Sequence, residues 1–399
     1  MKKEIDVKIK GKLTKKYHDG YPLIVKEAIV NVDDLQEEST IVRLVDDKGA
    51  FIARGYFGKQ NKGYGWVLSH NEKEEIDQAF FTKKMASACA YRQPFFEDEE
   101  TTAFRLFNGE GDGIGGFTID YFAGHYVINW YSEGIYAFKN YIIEALQQVA
   151  EVKSIYEKKR FDTKGQYLDD NDFVCGEEPE FPLMVKENGV QFAIYLNDGA
   201  MVGVFLDQRE VRKTIRERYA ADKQVLNTFS YTGAFSVFAA LGGAAKTTSV
   251  DLANRSLPKT IEQLSINGID HEAHSIVVMD VFKYFKYAVK KNLKFDVVIL
   301  DPPSFAKSKK FIFSAAKDYK DLIKETIAIT EDNGVIVAST NSSGFDMKKF
   351  KGFIATAFKE TGGTYQILET YTLPQDFKTI PEYREGNYLK VVFIKKISG

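Results

Sequence analysis

Val225-Leu226-Asn227-Thr228-Phe229-Ser230-Tyr231-Thr232-Gly233-Ala234 opens the stretch whose reading decides the fold. A short apolar run meets a turn with one glycine, and an apolar helical pattern follows. Three further runs repeat the plan. Thr247-Thr248-Ser249-Val250 ends on Asp251, Ser275-Ile276-Val277-Val278-Met279 ends on Asp280, and Phe295-Asp296-Val297-Val298-Ile299-Leu300 ends on Asp301-Pro302-Pro303. Near-continuous apolar strands alternating with helix-length segments predict an α/β fold, a parallel sheet with helices on both faces. Ligands of such sheets sit beyond the carboxyl ends of the strands, at the switch point. Every strand here delivers a turn or a carboxylate to that edge.

The residue types narrow the ligand. A dinucleotide site requires G-x-G-x-x-G so that a pyrophosphate can reach a helix N-terminus. The turn from Asn227 through Phe229, Ser230, Tyr231 and Thr232 offers only Gly233. Asp251, followed by Leu252, suits two ribose hydroxyls. Asp280 with Val281 and Phe282 suits an adenine amine and ring edge. A nucleoside without phosphates fits this set, and S-adenosylmethionine is the common one. After the fourth strand, two prolines force extended backbone and remove two N–H donors. The carbonyls around Asp301 and Pro302 are thereby held outward as acceptors, with Pro303 fixing the exit. Together with the Asp301 carboxylate they form a slot for a flat nitrogen heterocycle, on which Phe305 can stack.

The totals bound the rest. A chain of 399 residues predicts two or three domains, and 44% hydrophobic residues supply their cores. No apolar run approaches membrane-spanning length. Two cysteines, Cys89 and Cys175, make no disulfide framework and point to a reducing cytoplasm, and five scattered histidines predict no metal site. A net charge of −2 does not by itself suggest nucleic acid, so the distribution of charge matters more. The cluster Lys153/Lys158/Lys159/Arg160 and the cluster Lys307/Lys309/Lys310 are candidate RNA contacts, the second because it follows Asp301-Pro302-Pro303. Arg209 opens a basic helix and, with Gln208, is a candidate for an RNA phosphate or the methionine end of the donor. The lysines among residues 1–16 read as a solvated face.

Residues 1–75 predict a small β domain, with a hairpin turn at Asp46-Asp47-Lys48-Gly49. Residues 76–185 predict a helical bridge, whose helical pattern runs from Glu74 to Phe96, and a central α+β domain. Residues 186–399 carry the strand-and-carboxylate array. Gly109-Glu110-Gly111-Asp112-Gly113 lacks a following Gly-Lys-Ser/Thr, so it reads as a turn rather than a phosphate loop.

Taken together, Phe104 to Tyr121 (FRLFNGEGDGIGGFTIDY), Phe205 to Arg209 (FLDQR), Leu226 to Gly233 (LNTFSYTG), Asp301-Pro302-Pro303 and Glu385 to Lys390 (EGNYLK) resemble the PUA-linked class I large-subunit ribosomal RNA methyltransferases of bacteria, the RlmI/RlmK-like group. The resemblance spans essentially the whole chain. It implies an N-terminal PUA domain, a central α+β domain and a Rossmann-like domain that binds S-adenosylmethionine and acts on 23S rRNA or an assembly intermediate. Members making 5-methylcytosine are similar to a pattern with a cysteine after the fifth strand, at Asn341 or Ser343 here. Cytosine C5 is not nucleophilic until a thiolate adds to the ring, so that chemistry needs the cysteine. Guanine N7 has a free lone pair and needs only alignment, as in other members of the group. The expectation is therefore direct transfer to guanine N7. A cytosine C5 enzyme and a donor-binding RNA assembly factor without turnover are the alternatives. The sequence leaves the oligomeric state, monomer or homodimer, open.

Overall fold

The computed structural model describes residues 4–60, 63–161, 172–199, 201–307 and 312–397. Two compact units divide the chain: Met1–Lys186 with Ile194–Val202 and Gln375–Gly386, and Glu187–Ala193 with Gly203–Pro374 and Asn387–Gly399.

In the first unit a five-stranded sheet has the order Glu4–Lys8, Ile41–Val45, Phe51–Gln60, Gly63–Ser69, Leu23–Ile24. Asp46 makes its hairpin turn, accepting from the backbone N–H groups of Lys48 and Ala50 at 2.9 and 2.8 Å. The lysine-rich N-terminal stretch contains a helix, Gly11–His18, with Lys12, Lys15 and Lys16 exposed. A second five-stranded sheet runs Phe173–Gly176, Ser154–Lys159, His125–Trp130, Phe117–Phe122, Ala103–Asn108. One hydrophobic core joins both sheets to the helix Gln78–Tyr91. Where one helical run from Glu74 was expected, Asp77 caps the helix, accepting from Phe80 N–H, and Gln93–Phe96 forms a separate turn. The glycine-rich run is a single turn, Gly109–Asp112, between two paired strands. Gly111 has a packing reason, since a Cβ there would lie 1.8 Å from the Lys378 carbonyl oxygen. The buried Arg92 donates to Asp112 at 2.6 Å and to the Asp376 carbonyl at 2.7 Å. It thereby ties the late segment 375–386 into this unit.

The second unit is built on seven strands. In chain order these are β1 Gln224–Thr228, α1 Ala234–Leu241, β2 Lys246–Asp251, α2 Ser256–Ile266, β3 Ser275–Val278, α3 Val281–Lys290, β4 Phe295–Leu300, α4 Ala315–Ile329, β5 Thr330–Thr340, α5 Met347–Thr361, β6 Thr364–Tyr371 and β7 Lys390–Ile397. Their spatial order is β3-β2-β1-β4-β5-β7-β6. β1 to β5 are parallel, and β7 runs antiparallel between β5 and β6. The apolar runs are continuous because both faces of the sheet are covered. Leu226, Val298, Leu300 and Ile336 enter one core, while Val225, Val297, Ile299 and Val337 enter the other. Strand order reverses between β1 and β4, which places the switch point where Thr228 lies opposite Leu300. Among the described residues no helix is long and apolar enough to cross a membrane.

Candidate active site at the carboxyl edge of the sheet

The turn after β1 is tightly constrained. Phe229 and Tyr231 hold φ of 55° and 50°, and Gly233 holds 82°, a region costly for residues with a Cβ. What holds them is hydrogen bonding. Ser230 N–H donates to the Val250 carbonyl at 3.1 Å, and Gly233 N–H donates to the Ser230 carbonyl at 2.8 Å. Tyr231 N–H donates to Asp251 Oδ2 at 2.9 Å. Thr232 Oγ1 donates to the Gly203 carbonyl at 2.6 Å. Gly233 also starts α1, where a Cβ would come within 2.5 Å of Thr260 Cγ2.

Asp251, at the end of β2, accepts Tyr231 N–H on one oxygen and Ala253 N–H, at 2.8 Å, on the other. A carboxylate has about four lone-pair positions, so each oxygen keeps capacity for a hydroxyl. Leu252 beside it is 61% exposed, an apolar surface open to a flat ring. Met279 N–H donates to the Asp251 carbonyl at 2.8 Å, which brings the end of β3 alongside. Asp280 caps α3 by accepting Lys283 N–H on Oδ1 at 3.1 Å. Val281, at the first position of α3, is buried and offers one of the first-turn N–H groups that no helix carbonyl can reach. Phe282 is half-buried, with its ring edge-on to Phe229 at 6.2 Å. Asp251 and the start of α3 thus stand at neighbouring strand ends of the carboxyl edge, with the exposed Leu252 and half-buried Phe282 beside them.

Asn227 belongs to the frame rather than the open edge. It is buried, and its amide donates to Ser236 Oγ at 3.0 Å, tying β1 to α1.

At the end of β4, Pro302 is buried, Pro303 is exposed, and Phe305 is 61% exposed with its ring available for stacking. The Asp301 carboxyl turns inward, accepting from the side chains of Ser339 and Gln208. Burial and the neighbouring charge of Asp207 push its pKa up to about 6, against the opposing effect of those hydrogen bonds and of Arg212. Gln208 Nε2 also donates to Ser339 Oγ at 2.9 Å, and Tyr319 donates to the Ser339 carbonyl at 2.5 Å. Ser304 Oγ donates to Asn341 Oδ1 at 2.5 Å, linking the Asp-Pro-Pro exit to the end of β5.

The basic candidates divide. Arg209 is only 2% exposed, so its guanidinium is packed inside the unit rather than offered to a phosphate. Lys158 is enclosed and paired with Asp172. An enclosed, paired ammonium is a structural charge, and neither residue presents itself to RNA as expected. Lys159 keeps a partly open side chain near Glu157, and half-buried Arg160 donates to Asn129 Oδ1 at 3.0 Å. Lys307 ends the short strand Phe305–Lys307, while Lys309 and Lys310 lie outside the described residues. The sequence reading missed Asp207, Ser339 and Tyr388. Asp207 and Tyr388 sit in the FLDQR and EGNYLK motifs already quoted, yet nothing in the residue types gave them roles.

Residues 105–374 match the family described as S-adenosylmethionine-dependent methyltransferase, and residues 7–70 match a PUA-like domain. YwbD of Bacillus subtilis, assigned by name to the ribosomal RNA large subunit methyltransferases, is 64% identical over 96% of this chain and 97% of its own length. Ribosomal RNA large subunit methyltransferase I of Klebsiella pneumoniae is 32% identical over 93% of each chain. Among solved structures, SMU.776, assigned as a methyltransferase and crystallised with S-adenosylhomocysteine, superimposes with a TM-score of 0.90. It is 38% identical and covers 98% of this chain and 100% of its own. The chain belongs to the PUA-linked, class I S-adenosylmethionine-dependent methyltransferases.

Proposed function

We propose that the protein methylates N7 of a guanine in large-subunit (23S) ribosomal RNA, in the cytoplasm, by direct displacement without a cysteine nucleophile. The RNA substrate is carried over from the names of the relatives and fits a PUA-like domain at the N-terminus. The observation that carries the choice of atom is the placement of the cysteines. Both of the chain's cysteines belong to the first unit, so the catalytic unit has none. Burial pushes the Cys89 thiol up to about 11 and the Cys175 thiol up as well, the opposite of an activated thiolate. Asn341 stands after β5 and is engaged by Ser304.

When bound, the donor supplies an electrophilic methyl group on a sulfonium. The Phe229–Gly233 turn, Asp251 and Asp280 hold its adenosine. The main-chain carbonyls of Asp301 and Pro302 accept from guanine N1–H and the N2 amine, and Phe305 stacks on the ring. Guanine N7 then attacks the methyl carbon. The N7–C bond forms as the C–S bond breaks, the electron pair goes to sulfur, and no proton moves. The enzyme's contribution is alignment. A splayed or single-stranded base is required to reach the edge, and Lys159, Arg160, Lys307, Lys309 and Lys310 are the proposed phosphate contacts.

The test is incubation with methyl-labelled donor and unmodified ribosomal RNA, followed by nucleoside mass spectrometry. The expected product is 7-methylguanosine. Labelled 5-methylcytidine, or no transfer to any RNA despite tight donor binding, would overturn the assignment.

A further inference from the structure

The outer face of α3 carries charge of one sign only. Residues 281–294 include Lys283, Lys286, Lys290, Lys291 and Lys294 and not one Asp or Glu, in a chain whose net charge is −2. Helical spacing sorts them. Val281, Tyr284, Phe285 and Ala288 are buried, where α3 meets β2 and α4. Lys283, Lys286, Tyr287 and Lys290, at i, i+3, i+4 and i+7, share the opposite face, and all four are exposed.

The fold does not account for this stripe. A face kept only for solubility mixes both signs. Among the described residues, Lys283, Lys286, Lys290 and Lys291 make no ion pair. Glu325 on α4 acts on Lys286 from a distance and is itself half-buried, while Lys294 donates to the Ala328 carbonyl at 2.5 Å. Lys290 stands in the last turn, where the helix dipole favours a cation. Lys283 stands in the first turn, where the dipole opposes one and no acidic residue offsets it. Tyr287, in the middle of the stripe, is 44% exposed.

The stripe begins beside the proposed base slot. Phe282 lies 5.8 Å from Phe313, and Phe313 belongs to the strand Ile312–Ser314, which pairs with Phe305–Lys307. The hairpin bearing Phe305 therefore abuts the first turn of α3. From Lys283 to Lys290 the helix rises roughly 10 Å, leading away from the carboxyl edge.

We propose that this face of α3 is a track for the single-stranded RNA adjoining the target base, with Lys283, Lys286 and Lys290 meeting phosphates and Tyr287 stacking on a base. The inference rests on the RNA reading above and adds a surface to it. Unpaired RNA suits the mixture, because its bases are free to stack on a ring while its phosphates follow a basic groove. A duplex would present phosphates alone.

The test is binding of a fluorescent single-stranded oligoribonucleotide over a salt series. Each phosphate contact on a single strand contributes about 0.7 to the slope of log K against log salt. Lys286→Gln combined with Lys290→Gln should therefore flatten the slope by about 1.4, weakening binding about twenty-fivefold at 0.1 M salt and converging on wild type near 1 M. Removing equal charge from α5, by Lys351→Gln with Lys359→Gln, should leave the slope unchanged. Tyr287→Leu should weaken binding at least fivefold at every salt concentration. All three variants should keep the wild-type melting temperature and affinity for S-adenosylhomocysteine, which separates a lost contact from a lost fold. A wild-type slope in the α3 variant, equal flattening in the α5 variant, or wild-type binding by Tyr287→Leu overturns the inference. So does loss of binding to anionic lipid vesicles in the α3 variant with RNA binding intact, which assigns the stripe to a membrane surface. A wild-type protein that binds no RNA contradicts the RNA reading itself, which is a different failure.

Discussion

Asp251→Asn removes one charge and exchanges one acceptor for a donor while keeping the shape of the side chain. In the native chain Asp251 accepts two backbone N–H groups, from Tyr231 and Ala253. An asparagine oxygen can take one of them, and its NH2 group then faces the other. An orphaned donor costs about 1–3 kcal/mol. If the lost bond is the one to Tyr231, the turn loses the contact that holds Tyr231 at φ 50°, a conformation that costs about 1–2 kcal/mol to maintain. The turn then relaxes, and donor binding must re-form it. The ribose hydroxyls also meet a weaker, neutral acceptor, a further loss of about 1 kcal/mol. Re-forming the turn and meeting the weaker acceptor together cost roughly 2–3 kcal/mol of binding, or about thirty- to a hundred-and-fifty-fold in Kd. The assay is titration of S-adenosylhomocysteine by calorimetry, with a thermal melt alongside. The melting temperature should fall slightly and the Kd rise at least thirtyfold. A variant that binds within twofold of wild type with an unchanged melt would refute the role given to Asp251.

Other predictions address the nucleophile, the frame and the buried charges. Cys89→Ala combined with Cys175→Ala should leave methyl transfer within about twofold of wild type, since the displacement asks nothing of a thiol; a folded but inactive double variant would contradict that. Glu187→Ala strands the enclosed Arg212 and should cost about 3–5 kcal/mol in denaturant unfolding, whereas Glu360→Ala, which breaks an exposed pair with Lys320 and Lys324, should not move the midpoint measurably. Asp301 is raised to about 6, so between pH 4 and 6 the folded chain holds a proton that the unfolded chain has released. That contribution to stability is present at low pH and lost as the pH rises through 6. The stability of Asp301→Asn relative to wild type should therefore increase by up to about 3 kcal/mol from pH 4 to pH 7, and a flat difference would argue against the burial assigned to that carboxyl.

The catalytic sheet was legible because its physics is local. Strands covered on both faces write themselves as unbroken apolar runs, and the carboxylates that close them sit at fixed places along the chain. The hairpin at Asp46 and the strands near Phe104, Phe117 and Tyr126 were legible for the same reason. What stayed hidden depends on partners far away in sequence. Arg209 and Lys158 carry surface-type side chains, and only tertiary packing puts them inside. Gln208 acquires its partner only from Ser339, 131 residues later. The return of residues 375–386 to the first unit rests on Arg92 reaching the Asp376 carbonyl, a bond no periodicity announces. The helix Gly11–His18 was masked by its own lysines, which read as a charged face and not as an element.

A crystal structure of the protein with S-adenosylhomocysteine bears most directly on the claim that the β1 to β4 strand ends form the donor site. The product's adenine amine should lie against Asp280 and its ribose hydroxyls against Asp251, with the homocysteine half running toward Asp301. Product bound away from these carboxylates, with the sheet edge left unchanged, would contradict the account.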